Sequence, residues 1–157
     1  MSSDGSHPLD ALDWSILKEL QENARLSYAE IGRRVGLSAP AVTERVRSLE
    51  ESGVIAGYGA RVRPERVGRP VSAFIRLRLR AGNLEEVVEL ARSHEAVSAC
   101  HRVTGDDDLI MRVRATSVNG LEEHLDEFLG YGQITTSIVL STVVEERPLR
   151  EPPDAGP

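Results

Sequence analysis

The stretch Leu26 to Gly53, LSYAEIGRRVGLSAPAVTERVRSLEESG, constrains the chain most. Ser27 reads as a helix cap with Glu30 three positions on, the pattern of a capping box. Tyr28, Ile31 and Val35 then fall on one helical stripe. Gly36 follows at once, the residue that most easily takes the left-handed turn closing a helix. Ser38 is a second cap, and Pro40 sits in the first turn, where a missing N–H costs little. Ala39, Val42, Val46 and Leu49 repeat at steps of three and four, which makes a buried face. At about 100° per residue Pro40, Thr43, Glu44 and Arg47 point the other way. Two helices, a short glycine turn and a free polar face on the second helix describe a helix-turn-helix. In that motif the second helix enters the DNA major groove. Thr43 then suits a thymine methyl or base edge, and Arg47 suits guanine or a phosphate. An ordinary helical hairpin with a solvated outer face is the alternative.

Charge has to be weighed against a DNA reading, because the whole chain carries −6. The excess is not spread evenly. Residues 1–70 hold ten basic and ten acidic side chains, and residues 71–157 hold nine and fifteen. Between residues 33 and 47, Arg33, Arg34, Arg45 and Arg47 oppose only Glu44. Local field rather than overall pI decides phosphate contact. So few basic residues on one subunit predict weak binding by a monomer and therefore dimers at least.

Before the hairpin, residues 1–8 read as a flexible tail. Asp10 is the expected cap of a first helix, with Asp13 near its positive end and Leu9 placed to staple onto Trp14. Leu12, Ile16, Leu17 and Leu20 form its stripe, the third wall of a small core. Trp14 reads as a packing residue. After Gly53, short β-prone pieces broken by glycines predict a two-stranded wing, from which Arg61 and Arg63 reach phosphates. A linker with solvated arginines is the competing reading. Residues 64–70, with Gly68 and Pro70, read as a hinge.

Beyond the hinge the hydrophobic period changes. Val71 to Arg80 alternates, Ala73, Ile75, Leu77 and Leu79 against Arg76, Arg78 and Arg80, as a half-buried strand does. Asn83 caps a helix carrying Leu84, Val87, Val88 and Ala91. Val97 to Thr104 and Leu109 to Ala115 are strands flanking an Asp-rich turn. Ser117 caps a helix with Val118, Leu121, Leu125 and Phe128, and Ile134 to Val144 is a long last strand. Strand, helix, strand, strand, helix, strand is the ferredoxin-like split βαββαβ order. The fold class expected is therefore α+β, an N-terminal winged helix-turn-helix (residues 9–63), a hinge (64–70), a ferredoxin-like domain (71–147) and a tail (148–157). Both helices cover one sheet face. The other is mixed, basic at Arg76, Arg78, Arg112 and Arg114 and apolar at Ile110, Val139 and Val143, which predicts assembly through it.

Chemistry is sparse. Cys100 is the only cysteine, so a thiolate zinc cage and an intramolecular disulfide are excluded. His94, His101 and His124 lack metal-ligand spacing, and no nucleophile elbow or phosphate-cradling loop is present. Neither catalysis, a cofactor nor a metal is expected. Asp106, Asp107 and Asp108 suit the amine of a small cationic or zwitterionic ligand better than a hard cation, with backbone N–H groups and hydroxyls of the last strand suited to a carboxylate. No apolar run approaches the ~18 residues of a membrane span, and the start lacks a signal peptide's basic and apolar regions. A cytoplasmic protein without a membrane partner is expected.

The run LDALDWSILKELQENARLSYAEIGRRVGLSAPAVTERVRSLEESGVIAGYGARV resembles the N-terminal domain of the Lrp/AsnC, or feast/famine, transcription regulators. VTGDDDLIMRVRA and TTSIVLSTVVEERPL resemble that family's C-terminal ligand-sensing domain. The likeness spans about residues 9–148. It implies a winged helix-turn-helix, a ferredoxin-like domain, dimers that pack C-terminal sheets together and assemble up to octamers, and amino-acid effectors at interfaces between C-terminal domains. Double-stranded DNA is the partner implied. Carried onto this chain, the DNA face is Ser38, Ala39, Pro40, Thr43, Glu44 and Arg47. Arg45 lies near the backbone or in an internal ion pair, and Arg34, Arg61 and Arg63 flank the face. The effector turn is Thr104, Gly105, Asp106, Asp107 and Asp108, facing Gln133, Thr135, Thr136 and Ser137. Where the family often has GDYD, this chain has Asp107, which points away from leucine and toward a polar or cationic effector. A DNA-compacting protein of weak sequence preference and a small enzyme built on the second domain are the alternative readings.

Overall fold

A computed structural model describes residues 9–80 and 82–153. The tail expected at 1–8 and the last residues of the other, 154–157, lie outside them. The chain divides into two compact units. Among the described residues, one comprises 9–60 together with 144–153, and the other lies within 61–143.

The first unit is helical: α1 (Ala11–Glu22), α2 (Tyr28–Val35) and α3 (Ala39–Glu51). Ile16, Leu17 and Leu20 of α1 meet Ile31 of α2 and Val42, Val46 and Leu49 of α3 in one core. Leu9, Trp14, Tyr28, Val35 and Ile55 pack around it, so Trp14 is a wall, not a base-stacking platform. The reciprocal capping box forms at α1, between Asp10 and Asp13. At α2 only half of the expected box exists. Ser27 accepts from the Glu30 N–H at 3.2 Å, while the Glu30 carboxylate lies 4.0 Å from Arg33.

Gly36 closes α2 at φ 75°, and the chain turns at once into α3, capped by Ser38. The tightness of that turn depends on Gly32. A Cβ there would lie 2.4 Å from the Leu37 carbonyl oxygen, and the Leu37 N–H donates to the Gly32 carbonyl at 2.8 Å. Only a glycine lets the end of the turn pass this close to the helix.

The wing is not formed: residues 54–63 contain no strand. Gly53 and Gly57 take positive φ, and Val54, Tyr58 and Val62 are exposed. The glycines bend the segment at these positions. Tyr58 is held instead by its hydroxyl, which donates to Glu50 at 2.7 Å. Residues 144–153 also depart from the expected boundary at 147, since they belong with the helical unit. The Gln21 side chain and the Leu149 backbone exchange two hydrogen bonds, at 3.0 and 2.8 Å.

The second unit runs β1 (Val71–Leu79), α4 (Leu84–Ser93), β2 (Val97–Arg102), β3 (Leu109–Ala115), α5 (Val118–Leu129) and β4 (Gly132–Ile138). The sheet is antiparallel throughout, in the order β2-β3-β1-β4. This is the ferredoxin-like arrangement read from the sequence. Ala73, Ile75, Leu77, Leu109, Met111 and Val113 bury one face against Val87, Ala91, Leu121 and Phe128 of the helices. Four expectations of detail shift. The last strand stops at Ile138, with one further bond from the Val139 N–H to the Ser72 carbonyl at 2.8 Å. β1 begins at Val71, which this register puts opposite Leu140, so residues 141–144 have no β1 backbone to pair with, and Leu140 and Val143 are 96% and 92% exposed. β2 ends at Arg102 rather than Thr104. Asn83 makes no side-chain cap bond. Val118, the first residue of α5, stands in solvent. A β-branched sequence therefore outran the partner it needed.

Candidate DNA-reading face and effector domain

On α3 the division between buried and free residues is complete. Val42, Val46 and Leu49 are buried, whereas Ser38, Pro40, Thr43, Glu44 and Arg47 are exposed and Ala39 is half-buried. The Thr43 hydroxyl donates to the Ala39 carbonyl at 2.9 Å. That bond fixes its rotamer and leaves its oxygen able to accept. Arg47 donates to Glu51 one turn on at 2.7 Å, and both side chains are about two-thirds exposed (65% and 63%). The bond to Glu51, then the charges of Glu51 and Glu44, hold the guanidinium's pKa up. An exposed pair of this kind contributes about 0–1 kcal/mol. A phosphate or guanine can therefore replace Glu51 at small cost.

Arg45 is used internally. Its Nη1 donates to Asp13 at 2.7 Å and to Asp10 at 2.8 Å, tying α3 to the capped end of α1. Asp13 is among the few buried charged residues, 7% exposed. Of the two readings of Arg45, the internal ion pair is the one seen. Asp10, accepting first from the Asp13 N–H and then from Arg45, has its carboxyl held below the usual range. Arg34 is likewise engaged, at 2.7 Å from Glu19. Arg61 and Arg63 are exposed in the extended segment that replaces the wing.

In the second unit the Asp-rich turn is tied to β1. The Asp108 N–H donates to the Leu77 carbonyl at 3.0 Å. The Leu79 N–H donates to Asp108 Oδ2 at 2.8 Å. Arg78 Nε donates to the Asp106 carbonyl at 2.5 Å, and its Nη2 lies 3.3 Å from the Asp106 carboxylate. Gly105 takes φ 118°, so Thr104 and Asp107 ride on a loop bent there.

The residues expected opposite the turn do not act as one group. Gln133, Thr135 and Ser137 pair across from Arg78, Arg76 and Phe74 and share the open sheet face. Thr136, opposite Ile75, is on the other side. Strand alternation allows no other outcome for four nearly consecutive residues. A cleft of about 220 Å³ lies beside the turn, lined by Leu79, Arg80, Gly82, Asn83, Leu84, Arg102, Val103 and Asp108. Asp108 alone of the expected effector residues takes part. Arg80, Asn83 and Arg102 were not singled out in the sequence. The strand pattern placed Arg80 on one face with Arg76 and Arg78, but no local signal linked it to Arg102.

The open face carries Arg76, Arg78, Arg112 and Arg114, with half-exposed Phe74 beside Arg112 in register. No carboxylate is among its strand positions. Arg112 donates to Ser98 at 3.2 Å. Partial burial, then the charge of Arg112, lowers the pKa of Arg114.

Folding also joins side chains that lie far apart in sequence. His94, His124 and Glu127 bring their ligand-capable atoms within 4.8 Å of one another. The Ala96 N–H donates to His94 Nδ1 at 3.2 Å. The lone pair is therefore on Nδ1, and Nε2 carries the proton it shares with Glu127 at 3.2 Å. Such a tautomer offers no lone pair to an ion between His94 and Glu127. It links the end of α4 to α5. Cys100 is partly buried, which pushes its thiol up and away from reactivity.

Comparison with known proteins places these two units together. The AsnC-type helix-turn-helix domain matches residues 9–50, and the Lrp/AsnC ligand binding domain matches residues 72–149. An uncharacterized HTH-type transcriptional regulator of Bacillus subtilis, YezC, is 40% identical over 134 residues, covering 85% of this chain and 95% of the relative. The leucine-responsive regulatory protein of Escherichia coli is 32% identical over 148 residues, 90% of each chain. A Neisseria meningitidis transcriptional regulator in complex with L-Met superposes with a TM-score of 0.86 at 31% identity, covering 90% of this chain and 96% of that one. The chain belongs to the Lrp/AsnC family of helix-turn-helix transcriptional regulators. No helix among the described residues is long and apolar enough to cross a membrane.

Proposed function

We propose that this protein is a sequence-specific DNA-binding regulator whose grip on DNA answers to an amino-acid-like effector bound by the second domain. The observation that carries the DNA half is the exposed row Ser38, Pro40, Thr43, Glu44 and Arg47 on a helix fixed from behind by Val42, Val46 and Leu49. Such a face is preorganised for a groove, with Thr43 and Arg47 as the readers and Arg63 as a flanking phosphate contact. Two copies are required, since half-sites one turn apart are read about 34 Å from each other. The open sheet face supplies the contact between copies, with Phe74 and Ile110 as its apolar centre. An effector acts only through unequal affinity for the arrangements available to the assembly.

Recovery of bound genomic fragments, with and without each amino acid, tests this reading. A defined fragment set whose occupancy changes with one amino acid supports it. Equal affinity for operator and random DNA would instead mean a compacting protein.

A further inference from the structure

The charge balance of the cleft beside the Asp-rich turn defines the chemistry of its ligand. Its volume of about 220 Å³ lies below the roughly 300–1,000 Å³ of clefts for drug-sized molecules, and suits a molecule of amino-acid size. Two exposed arginines, Arg80 and Arg102, are among the residues that line it. Neither stands in an ion pair among the described residues.

The acids of the turn do not offset them. Asp106 is engaged by Arg78 and does not line the cleft. Asp107 does not line it either. Asp108 does, with one carboxylate oxygen already accepting from the Leu79 N–H. Two basic residues and one acidic residue thus line the cleft. A ligand that matches this set carries two anionic groups and one cationic group, a net charge of −1. The apolar wall, Leu79 and Leu84, is small.

We propose that the cleft binds an acidic amino acid, its two carboxylates held by Arg80 and Arg102 and its ammonium by Asp108. This inference rests on the reading of the second domain as an amino-acid sensor, and names the class of effector it takes. Planar guanidiniums match carboxylates in a two-bond fork, which a lysine or a backbone amide does not supply. A branched aliphatic side chain would leave one of the two forks unanswered. The turn's sequence, read alone, favours a polar or cationic ligand. The fold reverses that preference by committing Asp106 to Arg78 and leaving Arg80 and Arg102 at the cleft.

Titration calorimetry on the full chain tests it with L-glutamate, L-aspartate, glutarate, L-leucine, L-methionine and L-lysine. The expected result is that L-glutamate or L-aspartate binds at least about tenfold more tightly than the neutral and basic amino acids. Arg80→Gln and Arg102→Gln should each weaken that ligand about tenfold or more, the scale of one charge-assisted hydrogen bond. Arg102→Glu should move the preference toward L-lysine. Glutarate, lacking the amine, should bind more weakly than L-glutamate; equal binding would remove Asp108 from the recognition set and overturn the assignment. If L-leucine or L-methionine binds best and neither arginine variant changes it, the inference fails while amino-acid sensing stands. If no amino acid binds at millimolar concentration, the sensing reading itself fails.

Discussion

Replacing Gly32 by alanine sets two ordinary rules against each other. Glycine inside a helix is about 0.8–1.0 kcal/mol worse than alanine, so on propensity alone Gly32→Ala should stabilise α2. Packing opposes it. The new Cβ would sit 2.4 Å from the Leu37 carbonyl oxygen and 3.3 Å from the Leu37 carbonyl carbon. Both are backbone atoms of the turn, so no rotamer change relieves the overlap. The turn must move by roughly an ångström, which disturbs the 2.8 Å bond from Leu37 N–H to Gly32. Forced overpacking costs typically 1–3 kcal/mol and loss of one hydrogen bond about 1 kcal/mol. The net expectation is destabilisation of about 1–3 kcal/mol. In a unit of this size each kcal/mol is worth roughly 4–8 °C in Tm, so Tm should fall by about 5–20 °C. Trp14 is the chain's single tryptophan and packs on this core, so its fluorescence reports the helical unit alone. Gly120→Ala in α5 is the control. Its nearest neighbours are the Thr116 hydroxyl oxygen at 3.2 Å, which can rotate aside, and the Ser117 hydroxyl oxygen at 3.4 Å, an ordinary contact that leaves the cap bond from the Gly120 N–H in place, so propensity should prevail. A Gly32→Ala protein as stable as the parent, or more so, would refute the packing argument.

Four further outcomes follow from the same geometry. Glu51→Gln should raise DNA affinity, because it removes both an acid and the 2.7 Å competitor for Arg47. Arg47→Ala should weaken specific binding by about 1–3 kcal/mol if it reads a base, or shallow the salt slope alike for all sequences if it holds phosphate; gel-shift titrations over a salt series separate these. The Asp10 pKa is lowered on folding. Its contribution to stability is therefore present above the unfolded carboxylate range and lost as pH falls below about 4. Denaturant midpoints of Asp10→Asn should show a shallower loss over that window than the parent. Packing two arginine-rich sheet faces together should be opposed by like charge, so salt should strengthen the dimer and Phe74→Asp should weaken it, both read by sedimentation.

What could be read from the sequence was whatever local periodicity decides. The stripe Val42, Val46, Leu49 and the alternation of Leu109 to Ala115 each bury the face they announced, and strand order followed from counting elements. Features that need a partner were less legible. Ser141 to Val144 has strand composition, but β1 begins at Val71 and has no backbone opposite it. The wing did not form where Gly53 and Gly57 take positive φ. Asn83 has a capping side chain without a capping bond, a matter of rotamer rather than residue type. Arg80 with Arg102, and His94 with His124 and Glu127, are brought together only by the closed sheet and its helices. Gly32 did carry a local signal, an unforced glycine inside an amphipathic helix, which usually has a packing reason.

The central claim is that the outer face of α3 lies in a major groove beside its symmetry mate. An iron chelate tethered at Thr43→Cys, in a chain whose Cys100 is replaced by alanine, tests it by cutting bound DNA where that residue rests. The account predicts two clusters of cleavage on an operator fragment, about 34 Å or a multiple apart. Diffuse cleavage from position 43, with localised cutting from a chelate on the opposite side of the helical unit, would contradict it.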